Sequence, residues 1–295
     1  MKVGFIGLGI MGKPMASHLI KKGYETYLFD LNTDAVNELK AIGGHACISN
    51  KEVAENSDVI ITMLPAGKHV SFVLFSETGI ASNCRPGTVI IDMSSVKPEE
   101  SIEFASKLKA YDVHLIDAPV SGGEPMAVEG TLSIMAGGDE AHFNTILPLF
   151  EVMGERIVHM GPTGTGSATK LANQILVSTH LAALAEATVY ASKAGIDLNK
   201  LYEAIGTGLA GSAVMDAKIQ RIIDRDFEPG GKIETNFKDL GNIQASANTL
   251  GVPLPVTNLV KEIFGSEIAN GNGGKDHSYI IDFFEKMANH QVSGK

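Results

Sequence analysis

The stretch Lys2–Gly12 reads KVGFIGLGIMG, and its reading decides the fold. An apolar run, Val3 to Ile6, leads into Gly7-Leu8-Gly9-Ile10-Met11-Gly12, the pattern of a strand feeding a G-x-G-x-x-G turn. Gly7 allows the tight turn, Gly9 lets a pyrophosphate approach the backbone, and Gly12 lets the next helix pack on the strand. The helix start beyond them offers N–H groups and a positive dipole end to phosphate. A dinucleotide is the ligand this pattern implies. A secretory signal is not expected, because glycines and Lys13-Pro14 interrupt the apolar run and no A-x-A site follows.

The next elements support the cofactor. Met15, Leu19 and Ile20 have helical spacing, and Gly23 ends that helix. Thr26–Phe29 reads as a second strand closing on Asp30. A carboxylate there accepts both hydroxyls of a ribose and repels a 2′-phosphate. No Arg or Lys follows until Lys40, so the expected cofactor is NAD(H). The same position also suits a turn or N-cap residue before a helix.

Strands and helices then alternate. Asp58–Pro65, Thr88–Ser95, His114–Asp117, Thr131–Ala136 and Arg156–His159 read as strands, with helices around 34–42, 68–75 and 98–107. Strands without alternation, joined by helices, mean a mostly parallel sheet covered on both faces, with ligands at the strands' carboxyl ends. Beyond Pro119 parallel and antiparallel strands fit equally well. From Ser167 to Ala194 there is neither Pro nor Gly, and the run reads as one long apolar helix. Leu198–Ile205, Ala213–Ile223, Phe237–Leu250, Pro255–Ala269 and Ser278–Ala288 are helical too. The expected class is α/β: an N-terminal Rossmann-type doubly wound sheet followed by an all-α C-terminal domain, joined by a long interdomain helix. The boundary falls at 162/163, with residues 1–162 binding NAD and 163–295 serving substrate and oligomerisation.

Composition bounds the function. With 295 residues, 44% of them hydrophobic, the chain can bury a large core. A net charge of -10 and no basic run oppose nucleic-acid binding. No run of about 18 apolar residues lacks a Gly, Pro or polar break, so no membrane span is expected. Cys47 and Cys84 stand apart, which suits a reducing cytoplasm. The nine histidines form no zinc-binding pair, so no metal is expected. No Tyr is followed four residues later by Lys, the pair that short-chain dehydrogenases require.

Two stretches concentrate chemistry. In Asp117-Ala118-Pro119-Val120-Ser121-Gly122-Gly123, successive glycine N–H groups and the Ser121 hydroxyl make a nest for a carboxylate, or an ordinary turn. In Gly164–Gln174, GTGSATKLANQ, the residues Lys170, Asn173 and Gln174 share one face of an otherwise apolar helix. Three polar groups there are costly unless used, although a lysine can also snorkel to solvent beside two surface amides.

Four motifs in order now carry a resemblance: GLGIMG at Gly7–Gly12, DAPVSGG at Asp117–Gly123, GTGSATKLANQ at Gly164–Gln174, and Lys238-Asp239-Leu240. The chain resembles the β-hydroxyacid dehydrogenase family over nearly its whole length. That family includes 3-hydroxyisobutyrate dehydrogenases, tartronate semialdehyde reductases and, more distantly, 6-phosphogluconate dehydrogenases. Met93–Val96, Ser121–Pro125 and Gly208–Lys218 are most similar to the tartronate semialdehyde (2-hydroxy-3-oxopropionate) reductases.

The resemblance implies that Lys170 is the general acid/base, that Ser121, Gly122 and Gly123 hold the substrate carboxylate, and that Asn173 orients the substrate. Gln174 stands where many members have Asn and is assigned to the same site. Gly7, Gly9, Ile10, Met11, Gly12, Asp30, Leu64, Pro65, Ser95 and Lys238 would contact the cofactor. The implied reaction is reduction of a short 3-oxo acid, 2-hydroxy-3-oxopropionate to D-glycerate, by hydride transfer. A 3-hydroxyisobutyrate dehydrogenase, or an enzyme of a larger 3-hydroxy acid such as 2-(hydroxymethyl)glutarate, is the alternative. Relatives usually carry an aromatic where Gly231 stands; its loss would widen the pocket mouth for a larger acid, unless Phe237 compensates. A non-catalytic NAD(H) sensor would have lost Lys170 or the Ser121–Gly123 turn, and both are present. The apolar helices after Ser167 imply a homodimer or homotetramer.

Overall fold

Nine strands in residues 2–161 are ordered by how each apolar run splits between two faces. The structure, a computed structural model, describes residues 1–293. The strands are β1 (Lys2–Ile6), β2 (Glu25–Phe29), β3 (His45–Ala46), β4 (Val59–Thr62), β5 (Val89–Asp92), β6 (His114–Asp117), β7 (Val120–Ser121), β8 (Leu132–Gly137) and β9 (Gly154–Gly161). Between them lie α1 (Gly12–Lys21), α2 (Thr33–Lys40), α3 (Asn50–Asn56), α4 (Gly67–Phe75), α5 (Pro98–Leu108), α6 (Gly123–Glu129) and α7 (Glu140–Met153). Six parallel strands run in the order β3-β2-β1-β4-β5-β6. That order reverses at β1, which puts a ligand crevice at the carboxyl ends of β1 and β4.

Alternate residues explain why the strands read as unbroken apolar runs. Val59, Ile61, Val89 and Ile91 pack with α1, α2 and α7, whereas Ile60 and Ile90 pack with α3, α4 and α5. Both faces are buried, so neither can be polar.

The strands beyond Pro119, open to either sense in the sequence, take both. β8 is antiparallel to β6 and β7 and parallel to β9. Asp117 faces Gly137, Val120 faces Ile134 and Ser121 faces Ser133. The register is therefore unbroken, and β6 and β7 are one edge interrupted at Ala118-Pro119.

The remaining helices are α8 (Thr165–Lys193), α9 (Leu198–Ile205), α10 (Ala213–Ile223), α11 (Ile233–Leu250), α12 (Pro255–Ala269) and α13 (Ile281–Ala288). α11 starts four residues earlier than its apolar pattern, because Lys232 enters extended and Ile233 is fully buried. The compact units are Met1–Lys170 and a second one from Leu171 onward, so the division falls within α8.

Contrary to the sequence expectation, α8 is long and apolar enough to cross a membrane by length and composition. Its Ser, Thr and His breaks weigh little against the Ala, Leu and Val around them. Leu171, Leu181, Leu184, Ala185 and Val189 are buried in the core of the second unit.

Candidate active site

The glycine loop follows from close approach. Gly7 has φ +98°, and a side chain there would meet the Met63 carbonyl. A Cβ on Gly12 would run into the Gly7 carbonyl oxygen, so α1 can start this near β1 only with glycine. Asp30, just past β2, braces the loop. Its Oδ2 accepts the Leu8 N–H at 2.5 Å and its Oδ1 the Asn32 N–H at 2.7 Å. The N-cap of α2 is Asn32, whose side chain accepts from the Asp34 N–H, so Asp30 is not the helix cap. Ile10 is half exposed and Met11 partly buried at the mouth of the loop.

The loops after β4 and β5 are tied together. The Leu64 N–H donates to Ser94 Oγ at 2.9 Å, and Thr62 Oγ1 donates to Asp92 Oδ1 at 2.9 Å. Leu64-Pro65 and Ser95 thus project from a shared hydrogen-bonded base at the carboxyl end of the sheet.

The lysine and the glycine turn also come together. Lys170 Nζ donates to the Val120 carbonyl at 2.7 Å, next to Ser121 on β7. Gly122 and Gly123 have φ +134° and +67°, so two successive residues take backbone conformations that favour glycine. They lead into α6 and leave the turn's N–H groups at the surface. An ammonium and a backbone turn that suits an anion therefore share one edge of the sheet.

In the second unit the amides form a chain. Asn173 Nδ2 donates to Gln174 Oε1 at 2.9 Å, Gln174 Nε2 donates to Asp239 Oδ2 at 2.7 Å, and Lys238 Nζ pairs with Asp239 Oδ1 at 3.0 Å. Gln174 and Asp239 are buried. Gln174 thus bridges Asn173 and Asp239, which its spacing alone did not reveal.

Sequence reasoning missed the work of two aspartates, Asp92 under the Leu64 and Ser95 loops and Asp117 at the start of α8. Asp92 and Asp117 each end a buried run, Val89-Ile90-Ile91-Asp92 and His114-Leu115-Ile116-Asp117. A charge closing two neighbouring apolar strands was the available signal. It also missed His277, whose ring would lie 3.3 Å from a Cβ on Gly231. Phe237 packs instead against Gly265, so the ring beside Gly231 is an imidazole and not that phenyl. Burial lowers the His277 pKa to about 4.

Comparison with known proteins places both halves of the chain in one family. Residues 2–161 match the NAD binding domain of 6-phosphogluconate dehydrogenase, and residues 164–284 match the NAD-binding region of NADP-dependent 3-hydroxyisobutyrate dehydrogenase. The chain is 42% identical to the 2-hydroxy-3-oxopropionate reductase of Escherichia coli, over 99% of this chain and 100% of that one. The chain belongs to the β-hydroxyacid dehydrogenase family.

This dehydrogenase is also 41% identical to the 2-(hydroxymethyl)glutarate dehydrogenase of Eubacterium barkeri, over 100% of this chain and 98% of that one. Its structure superposes on a crystal structure of 3-hydroxyisobutyrate dehydrogenase from Salmonella typhimurium with a TM-score of 0.89 and 32% identity, covering 96% and 100% of the two chains. The dehydrogenase is an oxidoreductase that uses NAD(P). Its glycine loop fits that cofactor. A Cβ on Gly9 would meet nothing within 4 Å, so the middle glycine opens onto space that a phosphate can enter. Among the described residues no group of three His, Cys, Asp or Glu side chains could hold a metal.

Proposed function

We propose that this dehydrogenase reduces a short 3-oxo acid, 2-hydroxy-3-oxopropionate to D-glycerate, with NADH. The observation that carries the reading is the Lys170 ammonium held at the Val120 carbonyl, beside the Ser121–Gly123 turn. The bound nicotinamide supplies the hydride. Lys170 donates a proton to the oxygen that becomes the alcohol and takes one back in the reverse direction. Ser121 and the backbone of Gly122 and Gly123 hold the substrate carboxylate, and Asn173 orients the substrate, itself set by Gln174. Gly7, Gly9, Ile10, Met11, Gly12, Asp30, Leu64, Pro65, Ser95 and Lys238 hold the cofactor. Residues 1–162 serve as the cofactor domain and 163–295 as the substrate and oligomerisation domain.

The substrate reading is supported by the Escherichia coli relative. A larger 3-hydroxy acid is the second reading, favoured by the missing side chain at Gly231 and by the Eubacterium barkeri relative. NADH oxidation with tartronate semialdehyde, methylmalonate semialdehyde and longer branched oxo acids decides between them. The highest kcat/KM should fall on tartronate semialdehyde, and a preference for the branched acids would transfer the assignment.

NAD(H) is preferred over NADP(H) in this reading because the Asp30 carboxylate closes β2 beside the glycine loop. Asp30→Ala should weaken NADH binding about tenfold or more, since charge-assisted hydrogen bonds contribute ~1.5–3 kcal/mol each. NADPH should weaken less, because the loop loses its brace at Leu8 and Asn32 while the repulsion of a 2′-phosphate also disappears. Titration of both cofactors checks this, and an unchanged NADH/NADPH ratio would leave Asp30 as a brace alone.

Ser121 separates substrate binding from proton transfer. Ser121→Ala should raise KM about tenfold for an acid substrate and far less for the matching neutral amide. Equal losses on both would mean that the turn is structural and the acid group binds elsewhere.

The same reading makes the enzyme cytoplasmic, without nucleic-acid, membrane or metal partners. It also makes the enzyme a homodimer or homotetramer, supported by Leu250, Val252, Val256 and Leu259, all exposed around the α11–α12 connection. Sedimentation measures that directly.

A further inference from the structure

Two neighbouring strands end on buried aspartates, Asp92 on β5 and Asp117 on β6, opposite one another in register. The reaction outlined above uses neither. Asp117 Oδ1 accepts the Gly164 N–H and its Oδ2 accepts the Ser167 N–H, both at 2.7 Å. Ser167 is in the first turn of α8, where N–H groups have no partner within the helix. A strand residue therefore caps the helix that carries Lys170.

That first turn is seated without slack. A Cβ on Gly166 would run into the Asp117 and Met135 carbonyl oxygens, and one on Gly137 would lie 2.7 Å from the Gly166 nitrogen. Ser167 Oγ also meets Ser101 Oγ of α5 at 2.9 Å. One turn further on, Lys170 Nζ returns to the same sheet edge at Val120, three residues after Asp117. The segments 117–120 and 164–170 thus close a ring, with Asp117 at one corner and Lys170 at the other.

We propose that Asp117 is the positioning residue for Lys170: its carboxylate holds the first turn of α8 in place and offsets the positive helix end beside that ammonium. The proposal rests on the reading of Lys170 as proton donor. Without the carboxylate, the bare helix start would favour the neutral amine and leave the lysine less well placed. The groups facing Asp117 are Asp92 from β5, Gly137 from β8, Ser101 of α5 through Ser167, and the start of α8. The titratable one among them is Asp92.

Burial pushes the Asp117 carboxyl up to about 6, against the Gly164 and Ser167 N–H groups that favour its charge. Burial likewise pushes Asp92 up to about 6. Asp92 Oδ1 accepts from Thr62 Oγ1 and the Ser94 N–H, while its Oδ2 is buried with no partner. An unpartnered buried oxygen is where a proton is least costly, so as pH falls Asp92 takes the first proton and Asp117 keeps its charge as the cap.

Asp117→Asn keeps the size and removes the charge and one acceptor. Three quantities test it: NADH affinity by fluorescence, kcat, and the pH dependence of Lys170 acetylation by acetic anhydride, read by peptide mass spectrometry without cofactor. NADH affinity should stay within about twofold, because the glycine loop is untouched. The kcat should fall about 10²-fold, the scale of a small misplacement. The acetylation curve of Lys170 should move to lower pH.

A curve that does not move overturns the proposal, even where kcat falls, since the cap is then structural only. Should Asp117→Asn fail to fold, the wild-type enzyme decides. Its rate of 3-oxo acid reduction should drop as the pH falls through about 6, and Asp92→Asn should keep that drop. A rate flat to about pH 5, or a drop abolished by Asp92→Asn, overturns it. If Lys170→Ala itself leaves turnover high, the proton-donor reading fails instead.

Discussion

Lys170→Ala is expected to lower kcat by about 10³-fold, within the range that general acid–base catalysis supplies. NADH affinity should stay near that of the wild type, because the role lies in moving a proton and not in holding the cofactor. Lys170→Arg should be nearly as slow. A guanidinium keeps the charge near the Val120 carbonyl but cannot release a proton near neutrality. Added methylamine should restore part of the activity of Lys170→Ala and none in Lys170→Arg, where the cavity is filled. Collapse of NADH affinity with turnover largely retained would sink the assignment.

The largest expected effect on stability comes from Asp276. Its carboxylate is fully buried and takes Lys218 Nζ at 3.0 Å, Arg221 Nη1 at 3.1 Å, the N–H groups of Gly230 and Gly231, and Ser278. Burial works against its charge, but His277, Ser278 and Lys218 outweigh it and hold the carboxyl well below the usual carboxylate range. Asp276→Asn leaves the largely buried Lys218 ammonium without its hydrogen-bonded carboxylate, which costs about 3–5 kcal/mol. That corresponds to a Tm lower by roughly 10 °C.

The sign with pH follows from the lowered value. Stability from such a carboxylate is present above its ordinary pKa and is lost only as pH falls through the folded one. The gap between wild type and Asp276→Asn should therefore persist down to about pH 4. Asp226→Asn makes a contrast: Asp226 also pairs with Arg221, but half exposed, and its loss should cost far less. Thermal unfolding of both variants checks the pair of expectations, and equal effects would count against burial as the cause.

What could be read from the chain depended on the range of the interaction. Gly7, Gly9 and Gly12 act within one turn, and Lys170, Asn173 and Gln174 within one helix face, so spacing exposed them. The helices α3, α6 and α7 carry weaker local signals and went unread; α7 even holds Pro148 inside it. Asp117 was visible inside its motif, yet its work is done on Gly164 and Ser167, far along the chain. Gln174 was assigned to the substrate site from its helix face, and only the fold reveals its bond to Asp239. His277 beside Gly231 depends on the return of the chain after α12, which no local pattern encodes.

The unbroken register of β6 and β7 along β8 makes the DAPVSGG segment a ruler. Asp117 and Ser121 are separated by an even number of positions on that edge, so both belong to one face of the pleat. One residue inserted between them would turn the hydroxyl away from the side on which the carboxylate caps its helix. The length of this segment is therefore as constrained as the Asp117, Ser121 and glycine positions within it. Insertions among descendants of this chain should collect instead in surface connections that no sheet register counts.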